Sequence, residues 1–235
     1  MTLASRLRAG LQHLGLLEPA WKLREWLAPL GAGGAMKFPT FDPAIQRLAL
    51  GTGDYARYAA LGLAIRRIES DGIPGAFAEA GVYQGATSRF ILRVAPARPL
   101  YLFDTFEGFP AADREPSPAA DPRFRDTSEA NVRRVLGNPA NGVIRKGRFP
   151  ETAAGLEHER FALAVLDFDL FNPTLAGLEF FYPRLARGGY MFVHDFNSPE
   201  SNSACRRAVT QFMAGRQEQF VELPDRWGSV VIRKS

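Results

Sequence analysis

The chain has 235 residues, 46% hydrophobic and 23% charged, with a single cysteine, Cys205. That length buries a sizeable core without metal or disulfide staples. The lone cysteine excludes an intramolecular disulfide framework and a multi-cysteine zinc site. The net charge of +4 is diffuse, with nine basic and eleven acidic residues in 151–235 and no run of five like charges, which excludes a basic arm or stripe for nucleic acid.

At the N-terminus, Arg6, Arg8, Gln12 and His13 interrupt the apolar residues before a signal-peptide core forms, so a cytoplasmic protein is expected. No stretch of 18 apolar residues occurs, so no membrane span is expected. Leu3, Leu7, Leu11 and Leu14 recur at helical spacing. Their polar face is not strongly cationic, which favours packing on the same domain or on a second subunit, as in a homodimer, over a membrane surface. Gly31–Gly34 and Lys37-Phe38-Pro39 interrupt this region, and residues 1–50 read as a helical extension ahead of a main domain at 51–235.

The periodicity from Gly53 to Ser70 predicts a helix ended by Asp71-Gly72-Ile73-Pro74-Gly75. Apolar runs at Ala76–Ala80, Leu100–Phe103, Leu163–Asp167 and Gly189–Val193 read as strands, separated by helical patterns at 85–95, 128–136 and 173–186. This alternation predicts an α/β fold, a mostly parallel sheet with helices on both faces. A helix near 201–214 and a C-terminal β-hairpin around Pro224–Gly228 complete the chain. Residues 110–127 hold four prolines and mixed charge, and read either as a substrate lid or as a surface insertion.

Three stretches carry cofactor chemistry. Glu79 sits near the end of the first strand, and Gly81 and Gly85 open a turn into a helix whose N-terminus favours a negative group. The G-x-x-x-G spacing disfavours a dinucleotide. Asp104 ends the second strand about twenty residues later, where an acid bonds ribose hydroxyls or caps a turn. In IRKGRFPET, Gly147 and Phe149 form either a cover for an adenine face or a plain surface turn. A nucleoside cofactor without a diphosphate, S-adenosylmethionine, fits these features together.

Acidic groups dominate the last third. Asp167 and Asp169 end a strongly apolar strand, where buried carboxylates are costly unless paired or bound to a cation. Strand alternation would point both to one side. His194 and Asp195 end the next strand, and parallel strands bring their tips to one edge. The set suits Mg²⁺ or Mn²⁺, and the imidazole admits a softer ion. The plainer alternatives are a helix cap for Asp169 and a hydrogen-bonded core histidine for His194.

FAEAGVYQGATSRF, LYLFDTFEGFP, KGRFPET and VLDFDLFNPTLAGLEFFYPRLARGGYMFVHDF resemble the macrocin O-methyltransferase family from about Thr52 to the C-terminus. The resemblance implies the class I methyltransferase (Rossmann-like) fold with a seven-stranded sheet. It also implies S-adenosylmethionine as methyl donor and Mg²⁺-dependent methylation of a hydroxyl on a sugar or glycoside. By position it implies Asp167, His194 and Asp195 as metal ligands and Asp169 as general base. Glu79, Gly81, Tyr83 and Thr87 would wrap the methionine end, with Asp104 and Thr105 on the ribose side, Gly147 and Phe149 on the adenine side, and Asp167 also touching the cofactor. Two departures stand out: His194 occupies a position where the family usually has aspartate, and Gln84-Gly85-Ala86 keeps one glycine of a usual pair. The competing expectations are a metal-independent O-methyltransferase with His194 as base, and a non-catalytic nucleotide-binding partner protein.

Overall fold

The computed structural model of the chain describes residues 42–114 and 121–235. The leucine-spaced segment, the Gly31–Gly34 break and the middle of the proline-rich stretch lie outside these residues. A compact unit runs from Pro43 to Ser235. It opens with α1 (Pro43–Leu50) and α2 (Tyr55–Ser70), which pack on each other.

The chain then alternates through β1 (Ala76–Ala80), α3 (Ala86–Val94), β2 (Leu100–Asp104), α4 (Glu129–Leu136), β3 (Gly142–Lys146), β4 (Phe161–Leu166), α5 (Phe171–Arg184) and β5 (Leu185–Val193). It closes with α6 (Ala204–Met213), β6 (Phe220–Glu222) and β7 (Val230–Arg233). Local chemistry sets several boundaries. Asp54 caps α2 by accepting from the Arg57 amide, Ser128 caps α4 by accepting from the Asn131 amide, and left-handed Gly137 ends α4. All six side chains of β4 are buried, as a strand covered on both faces requires.

The seven strands form one sheet in the order β3-β2-β1-β4-β5-β7-β6. The first five are parallel, and β7 runs antiparallel to both β5 and β6. The order reverses between β1 and β4. Right-handed crossovers therefore send α3 and α4 to one face and α5 to the other. Packing agrees, since α1, α2 and α3 contact one another and α5 contacts α6. Phe103, Phe149, Phe161 and Phe181 anchor the core on the α5 side, with Phe149 and Phe181 stacked 5.6 Å apart. Among the described residues, no helix is long and apolar enough to cross a membrane.

Two features differ from the sequence expectation. β3 occupies residues expected to lead into a turn, because a half-exposed edge strand carrying Arg145 and Lys146 lacks the apolar run of a central strand. β4 stops at Leu166, so strand alternation does not orient Asp167 and Asp169. The turn after β4 brings them together instead, with Asp169 in a left-handed conformation at φ 60°.

Candidate active site

Where the strand order reverses, the carboxyl ends of β1 and β4 border a crevice, the place where open α/β sheets bind ligands. A cavity of about 490 Å³ lies there. One wall is the glycine turn after β1. The Gly81 amide donates to the Phe103 carbonyl, and the Asp167 amide donates to the Ala80 carbonyl. The backbones are so close that a Cβ on Gly81 would lie 2.0 Å from the Asp167 carbonyl oxygen, which makes glycine obligatory. Left-handed Gly85, at φ 82°, starts α3, and Ala86 and Thr87 of its first turn line the cavity.

Glu79, 1% exposed, accepts a short hydrogen bond from the Ser88 hydroxyl. Burial pushes its carboxyl up to about 8 against the pull of that bond. Asp104 does what a turn cap does: its Oδ2 accepts from the Val82 and Tyr83 amides at 2.7 and 2.8 Å, and its Oδ1 from the Phe106 amide at 2.6 Å. It still lines the cavity beside Thr105, whose hydroxyl donates to the Gly108 carbonyl. Gly147 and Phe149 also line it, but Phe149 is 4% exposed and gives most of its surface to Phe103, Phe168, Phe180 and Phe181.

A second stretch of the lining gathers Asp167, Asp169, His194 and Asp195. The His194 amide donates to the Leu166 carbonyl, which aligns the two strand ends. Nδ1 of His194 lies 3.1 Å from Asp167 Oδ1 and 2.9 Å from Asp195 Oδ2, while its buried Nε2 has no hydrogen-bond partner. Burial is the largest influence on this imidazole and opposes its protonation, but the Asp167 charge and the hydrogen bonds to Asp167 and Asp195 together outweigh it and raise the group to about 10. Burial by itself would raise Asp167, yet His194 and Arg57 hold it well below the usual carboxylate range. Burial, and then the charges of Asp195 and Asp167, push Asp169 up to about 8. Burial likewise raises Asp195. The wall is therefore a set of crowded carboxylates with one imidazole among them.

Several residues here carry no sequence signal of their own. Arg57, from the first turn of α2, donates to Asp167 Oδ2 at 2.6 Å. Asp54 and Asp225 each place a carboxylate oxygen within 4.8 Å of a ring nitrogen of His194. Trp227, at the tip of the β6–β7 hairpin, lines the cavity, and so does Asp113, which accepts from the Arg148 guanidinium. The described part of the proline-rich stretch is a cavity wall, since Phe124 lines it and packs on Tyr83 and Phe109. Nothing short of the folded chain brings these segments to one place.

The macrocin-O-methyltransferase family profile matches residues 46–225. The chain belongs to this family. It is 30% identical over 165 residues to the 8-demethyl-8-(2,3-dimethoxy-alpha-L-rhamnosyl)-tetracenomycin-C 4'-O-methyltransferase of Streptomyces olivaceus, across 63% of this chain and 61% of that protein. It is 30% identical over 178 residues to the mycinamicin III 3''-O-methyltransferase of Micromonospora griseorubida, across 67% and 68%. The match thus spans about three fifths to two thirds of these relatives. Among solved structures, the O-methyltransferase NovP superposes with a TM-score of 0.63 at 24% identity, covering 77% of this chain and 81% of that one. The calicheamicin methyltransferase CalS11 follows at 0.59 and 22%, covering 86% and 98%. The fold is that of the class I methyltransferases.

Proposed function

We propose that the protein transfers the methyl group of S-adenosylmethionine to a hydroxyl of a sugar on a glycosylated small molecule. The observation that carries this reading is the meeting of two walls on one cavity, a glycine turn opening a helix and a cluster of Asp167, Asp169, His194 and Asp195. The names of the two relatives both describe O-methylation, and one names a rhamnosyl group. Glu79, Gly81, Tyr83 and Thr87 would hold the methionine end of the cofactor. Asp104 and Thr105 would face the ribose, and Gly147 and Phe149 the adenine.

The acidic wall fits a divalent cation. Octahedral ligands at bonds of about 2.1 Å sit about 3 Å apart, and Asp167 Oδ1 and Asp195 Oδ2 lie at 3.1 and 2.9 Å from Nδ1 of His194. Two carboxylates and an imidazole suit Mn²⁺ or another borderline ion at least as well as Mg²⁺. A cation held there would supply Lewis-acid polarisation of the acceptor hydroxyl. Asp169, beside the ligands, is raised by burial and by the charges of Asp195 and Asp167; a cation neutralising those charges would leave it ionised, and it would then accept the proton of that hydroxyl. The oxygen would then attack the sulfonium methyl, forming the O–CH3 bond as the S–CH3 bond breaks and S-adenosylhomocysteine leaves with that electron pair, while the cavity would hold both reactants in line and exclude competing water.

A second reading has its own observation. Nε2 of His194 is unpartnered while Nδ1 contacts two carboxylates. Once deprotonated, which its raised value of about 10 places at high pH, an imidazole oriented in this way would serve as base in a metal-independent transfer. Methyl transfer from S-adenosylmethionine to a rhamnosyl glycoside separates the readings. EDTA abolishes turnover and Mn²⁺ restores it under the first reading, and Asp169→Asn lowers kcat by about 10²- to 10⁴-fold with unchanged affinity for S-adenosylhomocysteine. Full turnover in EDTA with loss in His194→Ala selects the second. No transfer to any glycoside removes both.

A further inference from the structure

Arg57 has no part in the chemistry just described, yet it lines the same cavity. Its side chain is 12% exposed. Nη2 donates to Asp167 Oδ2 and reaches Thr87 Oγ1 at 3.5 Å, and Thr87 is in turn hydrogen-bonded to the Tyr58 hydroxyl at 3.0 Å. The guanidinium therefore bridges the end of β4 and the first turn of α3. Two sources of positive potential meet there, a buried arginine and the N-terminus of a nine-residue helix.

A buried guanidinium is costly unless matched by negative charge. Asp167 matches it only in part, because its other oxygen faces His194. Arginine presents donors on more than one edge and can serve two carboxylates at once. The cofactor of the proposed reaction ends in an α-amino acid, an ammonium beside a carboxylate. Glu79, buried in the same wall, offers an acceptor for the ammonium. The carboxylate is best matched by a cation beside the helix N-terminus. Among the described residues lining the cavity, the arginines are Arg57 and Arg226, and Arg226 is exposed on the β6–β7 hairpin.

We propose that Arg57 anchors the α-carboxylate of S-adenosylmethionine, sharing its guanidinium between the cofactor and Asp167. This rests on the methyltransferase reading and adds to it the residue that distinguishes the cofactor from its decarboxylated form. Asp167 then orients Arg57 as much as Arg57 orients Asp167, which ties the cofactor end of the cavity to the acidic wall.

The test is calorimetric binding of S-adenosylhomocysteine and of decarboxylated S-adenosylhomocysteine to the wild-type protein, Arg57→Lys and Arg57→Met. The wild type should prefer the carboxylated ligand by about 30- to 100-fold, the range of a charge-assisted hydrogen-bonded pair. Arg57→Met should lose that preference, binding the decarboxylated ligand within about threefold of wild type, and Arg57→Lys should fall between. Equal losses for both ligands in Arg57→Met, or none, would overturn the proposal. Should Arg57→Met not fold, as judged by circular dichroism, the wild-type comparison still decides, since no preference for the carboxylated ligand refutes the anchor. Binding of neither ligand by the wild type refutes the cofactor reading itself and the anchor with it.

Discussion

Glu79 shows how one buried residue ties the stability of the fold to pH. It is the one charged side chain within β1, and its carboxyl is raised to about 8 by burial. A raised carboxyl means that the folded state holds a proton that the unfolded state has already released. Stability is therefore unaffected below the ordinary value near 4.5, falls as pH rises from there to about 8, and levels off above. The slope reaches about 1.4 kcal/mol per pH unit at most. Glu79→Gln can still accept from Ser88 but has nothing to ionise. Urea midpoints should thus diverge in its favour between pH 5 and pH 8, and parallel curves would contradict this. The same substitution should weaken S-adenosylhomocysteine binding, because the ammonium loses its counter-charge. A buried acid that lowers the stability of the empty protein is what a site for a cationic ligand group would be expected to carry.

At the level of elements, the segment 121–127 matters most. The Tyr83 hydroxyl donates to both oxygens of Asp126 at 2.7 and 2.8 Å, and Nε2 of the Gln84 side chain donates to the Asp126 carboxylate and backbone carbonyl at 3.1 Å. Thr127 bonds the Tyr83 carbonyl, so the segment is laced to the glycine turn. It also explains a glycine in the DTFEGFP stretch, since a Cβ on Gly108 would fall 2.9 Å from Arg125 Cγ. Arg123 lies over the Phe109 ring and 4.0 Å from Asp169 Oδ1. Asp126→Ala should release this lacing. Tryptic cleavage at Arg123 and Arg125 should accelerate by about tenfold or more, while global stability changes by less than about 1 kcal/mol, because the lost bonds are at the surface. Unchanged cleavage would mean that the aromatic contacts alone hold the segment.

Across the whole molecule, the reversal of strand order between β1 and β4 places both walls of the cavity, and the aromatic core keeps them in register. Phe181 is fully buried and contacts Phe103, Phe149, Phe161 and Phe180. Phe149 also lines the cavity. Phe181→Ala should cost about 3–5 kcal/mol in chemical denaturation. It should weaken S-adenosylhomocysteine binding too, because Phe149 loses its stacking partner. A stability loss below 1 kcal/mol would show that the core collapses around the void.

The strand-helix alternation, the hairpin, the glycine turn and the acids at Asp167, Asp169 and Asp195 are legible in the chain itself. Each is a local pattern: apolar runs at strand length, glycine where the backbone must turn sharply, carboxylates interrupting apolar strands. Edge strand β3 was not legible, since half-exposed residues carry little apolar signal. Nor were the partners of the acids. Arg57 and Asp167 are 110 residues apart in sequence and 2.6 Å apart in space. Asp54 and Asp225 approach His194 from opposite ends of the described chain. Sequence periodicity reports which face of an element is buried, but not what lies across from it. Only the close passage of Gly81 over the Asp167 backbone, and the packing of α2 against the strand ends, decided which charges meet.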